Sequence, residues 1–64
     1  MITVNGCELD GEGMSVAELV EGQGYKKERV AVELNEQIVP KAEYEATVLR
    51  DGDSVEIVSF VGGG

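Results

Sequence analysis

Residues 51–64 read Asp51-Gly52-Asp53-Ser54-Val55-Glu56-Ile57-Val58-Ser59-Phe60-Val61-Gly62-Gly63-Gly64. Asp51-Gly52-Asp53 predicts a turn. From Ser54 to Phe60 the side chains alternate, with Val55, Ile57 and Ser59 on one face and Glu56, Val58 and Phe60 on the other. Both faces are partly apolar. Such a strand belongs in the middle of a sheet, one side buried beneath a helix and part of the other side available to another protein. Glycines follow the strand directly. Three residues can extend roughly 10 Å, and glycine lets the backbone pass through a channel where any Cβ would collide. The group at the end is the Gly64 carboxylate, a poor acceptor for a nucleophile until phosphoryl or adenylyl transfer supplies a leaving group. An ATP-using partner would have to bring the magnesium and the phosphate contacts.

Working back from that strand, Val30-Ala31-Val32-Glu33-Leu34 alternates as a half-buried strand, with Val30, Val32 and Leu34 on one face. Asn35-Glu36 can turn the chain into Gln37-Ile38-Val39, and Pro40, which has no amide donor, makes that segment an edge strand. Lys41 to Tyr44 suggest a single helical turn. The weak periodicity of Thr47-Val48-Leu49 assigns it no element.

At the other end, Met1 to Val4 lead into Asn5-Gly6, a hairpin dipeptide that tolerates positive φ, and Cys7 to Leu9 should return antiparallel with Ile2 and Val4 facing the core. Gly11 and Gly13 loosen the connection to a helix. Ser15 is placed to cap it, Glu18 to complete the capping box, and Met14 with Leu19 to form a hydrophobic staple. Val16, Leu19 and Val20 make the apolar stripe, and the helix should end near Gln23 with Gly24 as a left-handed cap. So short a helix needs a sheet beneath it.

The order β-β-α-β-β-turn-β therefore predicts an α+β domain: a mixed four- or five-stranded sheet covered on one face by a short helix, with the first and last strands adjacent. Residues 1–61 are expected to form the domain and residues 62–64 a flexible glycine tail.

Composition limits what such a domain can do. A chain of 64 residues has room for one thin core and none for an enclosed substrate chamber, so a self-contained enzyme is not expected. Thirteen acidic residues against five basic ones give a formal charge of −8. That balance supplies no phosphate-binding footprint for nucleic acid and favours a basic protein partner. Lys26, Lys27 and Arg29 form a local basic patch, read as a solvated linker ahead of a partner contact. Cys7 is the single cysteine, which excludes an internal disulfide and gives thiolate metal sites no support; a cytoplasmic setting follows as the default. No stretch suits a membrane helix or a signal peptide.

The whole chain resembles the small thiamine-biosynthesis sulfur carrier proteins. Asn5-Gly6, Ser15-Val16-Ala17-Glu18-Leu19, Val30 to Asn35, Ile38-Val39-Pro40, Leu49-Arg50-Asp51-Gly52-Asp53 and Val55-Glu56-Ile57 fall in that family's order, and Gly63-Gly64 completes the match. The resemblance implies a ubiquitin-like β-grasp fold. It also implies that the Gly64 carboxylate is adenylated by an ATP-dependent activating enzyme, converted to a thiocarboxylate with sulfur from a cysteine-derived donor, and used by thiazole synthase to build the thiazole of thiamine. Such a carrier is a cosubstrate with no catalytic side chain, metal or bound cofactor of its own, which agrees with the absence of histidine. Gly64 carries the sulfur, Gly63 completes the pair and Gly62 adds one glycine.

Two other functions fit parts of the pattern. The small sulfur-carrying subunit of molybdopterin synthase shares the fold and the glycine pair, but is usually longer, and the compact spacing with Ile38-Val39-Pro40 favours the thiamine branch. A ubiquitin-like interaction or tagging module would instead join Gly64 to a lysine.

Val58 and Phe60 are the partner-contact candidates, because they lie opposite the helix-covered side of the last strand. Cys7 is expected to be a buried strand residue. Glu8, Asp10 and Glu12 read as solvated surface without a metal cage, and Asp51 and Asp53 as turn residues.

Overall fold

The computed structural model describes residues 1–60. Strand β1 (Ile2–Val4) and strand β2 (Cys7–Leu9) form the first hairpin, in the register Ile2 with Leu9 and Val4 with Cys7. Its turn has φ 50° at Asn5 and 86° at Gly6, the left-handed pair that matches the twist of the flanking strands. Helix α1 (Val16–Gly22) follows. The Ser15 Oγ accepts from the Glu18 amide at 3.0 Å and the Glu18 carboxylate accepts from the Ser15 amide at 2.9 Å, so the capping box closes as its spacing predicts. Gln23 caps the other end, and Gly24, at φ 88°, turns the chain away.

A 3-10 turn at Lys27–Arg29 leads into β3 (Val30–Leu34), which pairs antiparallel with β4 (Gln37–Val39). A second 3-10 turn at Lys41–Glu43 and an irregular stretch bring the chain to β5 (Ser54–Ser59). The five strands lie in the order β2-β1-β5-β3-β4, with β5 parallel to β1 and antiparallel to β3. This is the β-grasp arrangement, with the last strand central as the apolar character of both its faces requires. Regular pairing ends at Ser59, and the Phe60 amide still donates to the Arg29 carbonyl at 2.8 Å.

The helix covers one face of that sheet. Val16, Leu19 and Val20 are buried against Ile2, Val4, Val30, Val32, Val55 and Ile57, with Val39, Tyr44 and Leu49 closing the core. Each fully buried aliphatic side chain contributes about 1.5–3 kcal/mol, so the three helix residues outweigh the nucleation cost that an isolated two-turn helix could not meet. The stretch left without an element acquires its structure from the helix entry. Val48 makes an isolated bridge to Ser15, and the Leu49 amide donates to the Met14 carbonyl at 2.7 Å. A pairing with a distant loop leaves no periodicity in sequence.

Two expectations are corrected. Cys7 is exposed rather than buried: β2 is an edge strand, and at its first residue the sheet extends beyond the cover of the short helix. Gly11 does more than loosen a connection. It is buried, and a Cβ placed there would lie 2.6 Å from the Ile2 Cδ1 and 3.1 Å from the Leu9 Cδ1, so this glycine is fixed by close packing over the start of β1. The expected tail, residues 62–64, and Val61 before it lie outside the described residues.

Candidate functional site

The face of the sheet away from α1 is open. Its residues follow from register: Ala31 lies opposite Val58, and Glu33 lies opposite Glu56 on one side and Ile38 on the other. Val58 and Phe60 are about half exposed, at 53% and 52%, and Ile38 is exposed at 71%. Val58 and Phe60 thus occupy the outward positions that alternation assigns them. Ile38 is a third apolar residue on this face that the sequence reading passed over. The signal was present, because a two-residue Asn35-Glu36 turn pairs Leu34 with Gln37 and so places Ile38 outward beside Glu33.

The open face is divided along β5. Toward the start of the strand it is acidic and polar, with Thr3, Glu33, Glu36, Ser54 and Glu56 lining one shallow groove. Toward the end it becomes apolar with a cationic border. The Lys41 Nζ donates to the Val30 carbonyl at 3.0 Å and lies 6.0 Å from the centroid of the Phe60 ring, within cation–π range. Lys41 carried no sequence signal for this placement, since the chain must first pass along β4 and fold back through the second 3-10 turn. Arg29 sits opposite Phe60, its carbonyl accepting from the Phe60 amide.

Two asparagines hold β5 from either side. Where β1 turns away, the Asn5 side chain continues the ladder: its Oδ1 accepts from the Ile57 amide at 2.7 Å and its Nδ2 donates to the Ile57 carbonyl at 3.2 Å. At the opposite hairpin, Asn35 (φ 51°) accepts from the Ser54 amide at 3.0 Å and donates to the Asp53 carboxylate at 3.1 Å. Asp53 also accepts from the Arg50 amide at 2.8 Å, so it is the turn residue expected. The strand leading to residues 61–64 is therefore anchored at its start and its middle, and its backbone direction at Phe60 is fixed.

The remaining candidates lie elsewhere. Cys7 pairs with Val4, which in turn pairs with Val55. That places Cys7 two strands away from β5, near the start of that strand and not near Phe60. Glu12 and Asp51 receive the Met1 ammonium at 2.7 and 2.6 Å. Hydrogen bonds to Asp51 and then Glu12 raise the amine from its ordinary 8.0 to about 10, and the same contact lowers Asp51. Among the described residues no group of three or more acidic or cysteine side chains is placed to hold a metal ion, and no helix is long and apolar enough to cross a membrane. Gly62, Gly63 and Gly64 lie outside the described residues.

Comparison with known proteins gives this arrangement its relatives. The sequence matches the ThiS family over residues 2–64. It is 39% identical to the sulfur carrier protein ThiS of Thermus thermophilus over 64 residues, covering all of both chains. It is 42% identical to the thiazole synthase of Paramagnetospirillum magneticum over 64 residues, covering 98% of this chain and 20% of that protein. The chain thus spans about a fifth of the length of that relative, and the thiazole synthase of Magnetococcus marinus stands in the same proportion at 41% identity. Among solved structures, the thiamine biosynthesis protein ThiS of Geobacter metallireducens superposes with a TM-score of 0.77 at 40% identity, covering 98% of this chain and 97% of that one. The match runs through every element of the sheet and on to the terminal glycines, and the chain belongs to the ThiS family.

Proposed function

We propose that this protein is a sulfur carrier for thiamine thiazole formation, with the terminal carboxylate of Gly64 as the reacting group. The observation that carries the reading is the full-length family match from Ile2 to Gly64, on a fold whose central strand ends at Ser59, with Phe60 and Val61 before the glycines in sequence. In the proposed reaction a Gly64 carboxylate oxygen attacks the α-phosphorus of ATP, giving an acyl adenylate and releasing pyrophosphate. A sulfide-level nucleophile from a cysteine-derived donor then attacks the carbonyl carbon and expels AMP, leaving the thiocarboxylate. ATP and magnesium are bound by the activating protein, and the carrier acts as a cosubstrate in the cytoplasm. Thiazole synthase is the proposed acceptor. In its support, two thiazole synthases contain within their own chains a segment similar to this protein.

Val58 and Phe60 are proposed to contact these partners, because an exposed apolar patch beside the last described residue would seat the carrier where the tail enters. Replacing Phe60 by alanine should weaken binding to the activating protein or to thiazole synthase more than it lowers stability; unchanged affinity for both would remove the assignment. The function itself is tested by incubating the chain with a carrier-activating enzyme, ATP and a sulfur source, then weighing the intact protein. Replacement of one oxygen by sulfur at the C-terminus is expected, and it should vanish on deletion of Gly64 with the fold retained. An unchanged mass where a control carrier reacts would reject the reading.

A further inference from the structure

The chain has five basic residues, and four of them collect at one end of the molecule. Lys27 and Arg29 lie on the 3-10 turn before β3, with Lys26 as its N-cap, and the Arg29 amide donates to the Lys26 carbonyl at 2.9 Å. The antiparallel register of β3 and β5 carries that turn to the end of β5, where Val30 faces Ser59 and the Arg29 carbonyl accepts from Phe60. Lys41 arrives from the other side, held by the Val30 carbonyl beside the Phe60 ring. All four are exposed. The fifth, Arg50, precedes the turn at the start of β5 and lies at the opposite end of that strand.

These cations stand in a chain of thirteen carboxylates, yet among the described residues none of them makes an ion pair; the ion pairs present are those of the Met1 ammonium. Glu28 shares the turn, and Glu21 and Glu45 line a groove of about 530 Å³ with Lys26 and Lys27, without closing on either lysine. Interspersed charges would give a uniform acidic surface. Glu21, Glu28 and Glu45 share that groove with Lys26 and Lys27, whereas the border of Phe60 itself carries Lys41 and Arg29.

We propose that Lys26, Lys27, Arg29 and Lys41 form a cationic collar at the root of the tail that docks against an acidic surface flanking the tail channel of the ATP-dependent activating protein. The inference rests on the carrier reading given above. Charge complementarity selects the occupant. The net charge of −8 by itself favours a basic partner, whereas four cations at the Phe60 end of β5, without an ion pair among the described residues, call for carboxylates. Exposed charges at the rim of an interface act mainly on encounter and orientation, so the collar governs how the carrier is captured and leaves the chemistry at Gly64 unchanged.

The test compares two variants of equal charge. Lys27→Gln/Arg29→Gln and Arg50→Glu each make the chain two charges more negative, one at the collar and one at the far end of β5. Folding is checked by circular dichroism, and Lys26→Gln/Lys27→Gln replaces the first variant if it loses structure. In the mass-detected thiocarboxylation assay with the activating enzyme, the collar variant should raise KM about fivefold with kcat unchanged, while Arg50→Glu stays near the unaltered chain. Raising the salt concentration should raise KM for the unaltered chain and do so less for the collar variant. Equal KM values for both variants, or a lower KM for the collar variant, as a basic partner would give, overturns the proposal. Failure of the unaltered chain to gain sulfur, where a control carrier does, marks instead the failure of the carrier reading, and the collar assignment falls with it.

Discussion

Replacing Asn5 by glycine should lower the thermal midpoint by roughly 10 °C although no core side chain is touched. Glycine adopts the left-handed turn conformation that Asn5 holds at φ 50°, so the hairpin keeps its geometry. What disappears is the pair of hydrogen bonds between the Asn5 side chain and Ile57, one accepted from the Ile57 amide at 2.7 Å and one donated to its carbonyl at 3.2 Å. Each contributes about 0.5–1.5 kcal/mol net, and together about 2 kcal/mol. For a domain of this size each kcal/mol moves the midpoint by roughly 4–8 °C, from which the expected shift follows. Asn5→Ala should lose about 1 kcal/mol more, because a Cβ without a local hydrogen bond is strained in the left-handed region. Thermal and urea unfolding followed by circular dichroism give the magnitudes. Hydrogen exchange at the Ile57 amide gives the location, since that amide loses its acceptor. A glycine variant that melts within about 2 °C of the unaltered protein, with the Ile57 amide still protected, would refute the idea that the asparagine side chain substitutes for the missing strand.

Three further perturbations follow from local geometry. The Met1 amine is raised from 8.0 to about 10 in the folded protein by Asp51 and Glu12, so its stabilising contribution is complete below about pH 8 and is lost as pH rises through 10. The urea midpoint should therefore fall over that range, and fall less in Asp51→Asn. Asp51 itself is lowered from 3.8 by the same contact, so its contribution is present above that value and is lost in more acidic solution. Gly11→Ala should destabilise by about 1–3 kcal/mol through overpacking against the buried Ile2 side chain; an unfolding midpoint equal to that of the unaltered chain would show that Ile2 yields without cost. Tyr44 is buried with a hydroxyl that finds no hydrogen-bond partner among the described residues. Burial pushes its phenol above the usual 10.0, and the nearby Val32 backbone opposes part of that rise without reaching hydrogen-bond geometry. Tyr44→Phe should accordingly be neutral or stabilising by up to about 1 kcal/mol, and a clear loss in urea unfolding would reveal a partner for the hydroxyl.

Much of the architecture was legible because its signals are local. Ser15 and Glu18 are three residues apart and need no other part of the chain to form a capping box. Asn5-Gly6 sets its own turn, and the alternation from Val55 to Phe60 places each side chain once the segment is a strand. Placing β5 at the centre also followed, since a strand apolar on both faces cannot lie at a solvated edge. Cys7 was misjudged because hydrophobic character does not say how far a two-turn helix reaches across a sheet. Gly11 looked like a flexible connector because sequence records no distance to Ile2.

The sequence by itself determined the five strands, the helix, their order, the central last strand and the terminal glycines, because capping, turn chemistry and two-residue periodicity act between neighbours. It also determined an overall acidic charge, which belongs to composition alone. Only the tertiary structure decided where that charge is reversed. Lys41 and the 26–29 turn come from separate connections, and they meet beside Phe60 because β3 runs antiparallel to β5 and the chain after β4 folds back on the start of β3. Only the fold, likewise, turned two hairpin asparagines into clamps on the central strand, since each side chain bonds a backbone group on a strand remote in sequence. Interactions of that kind depend on register between strands, which no stretch of adjacent residues encodes.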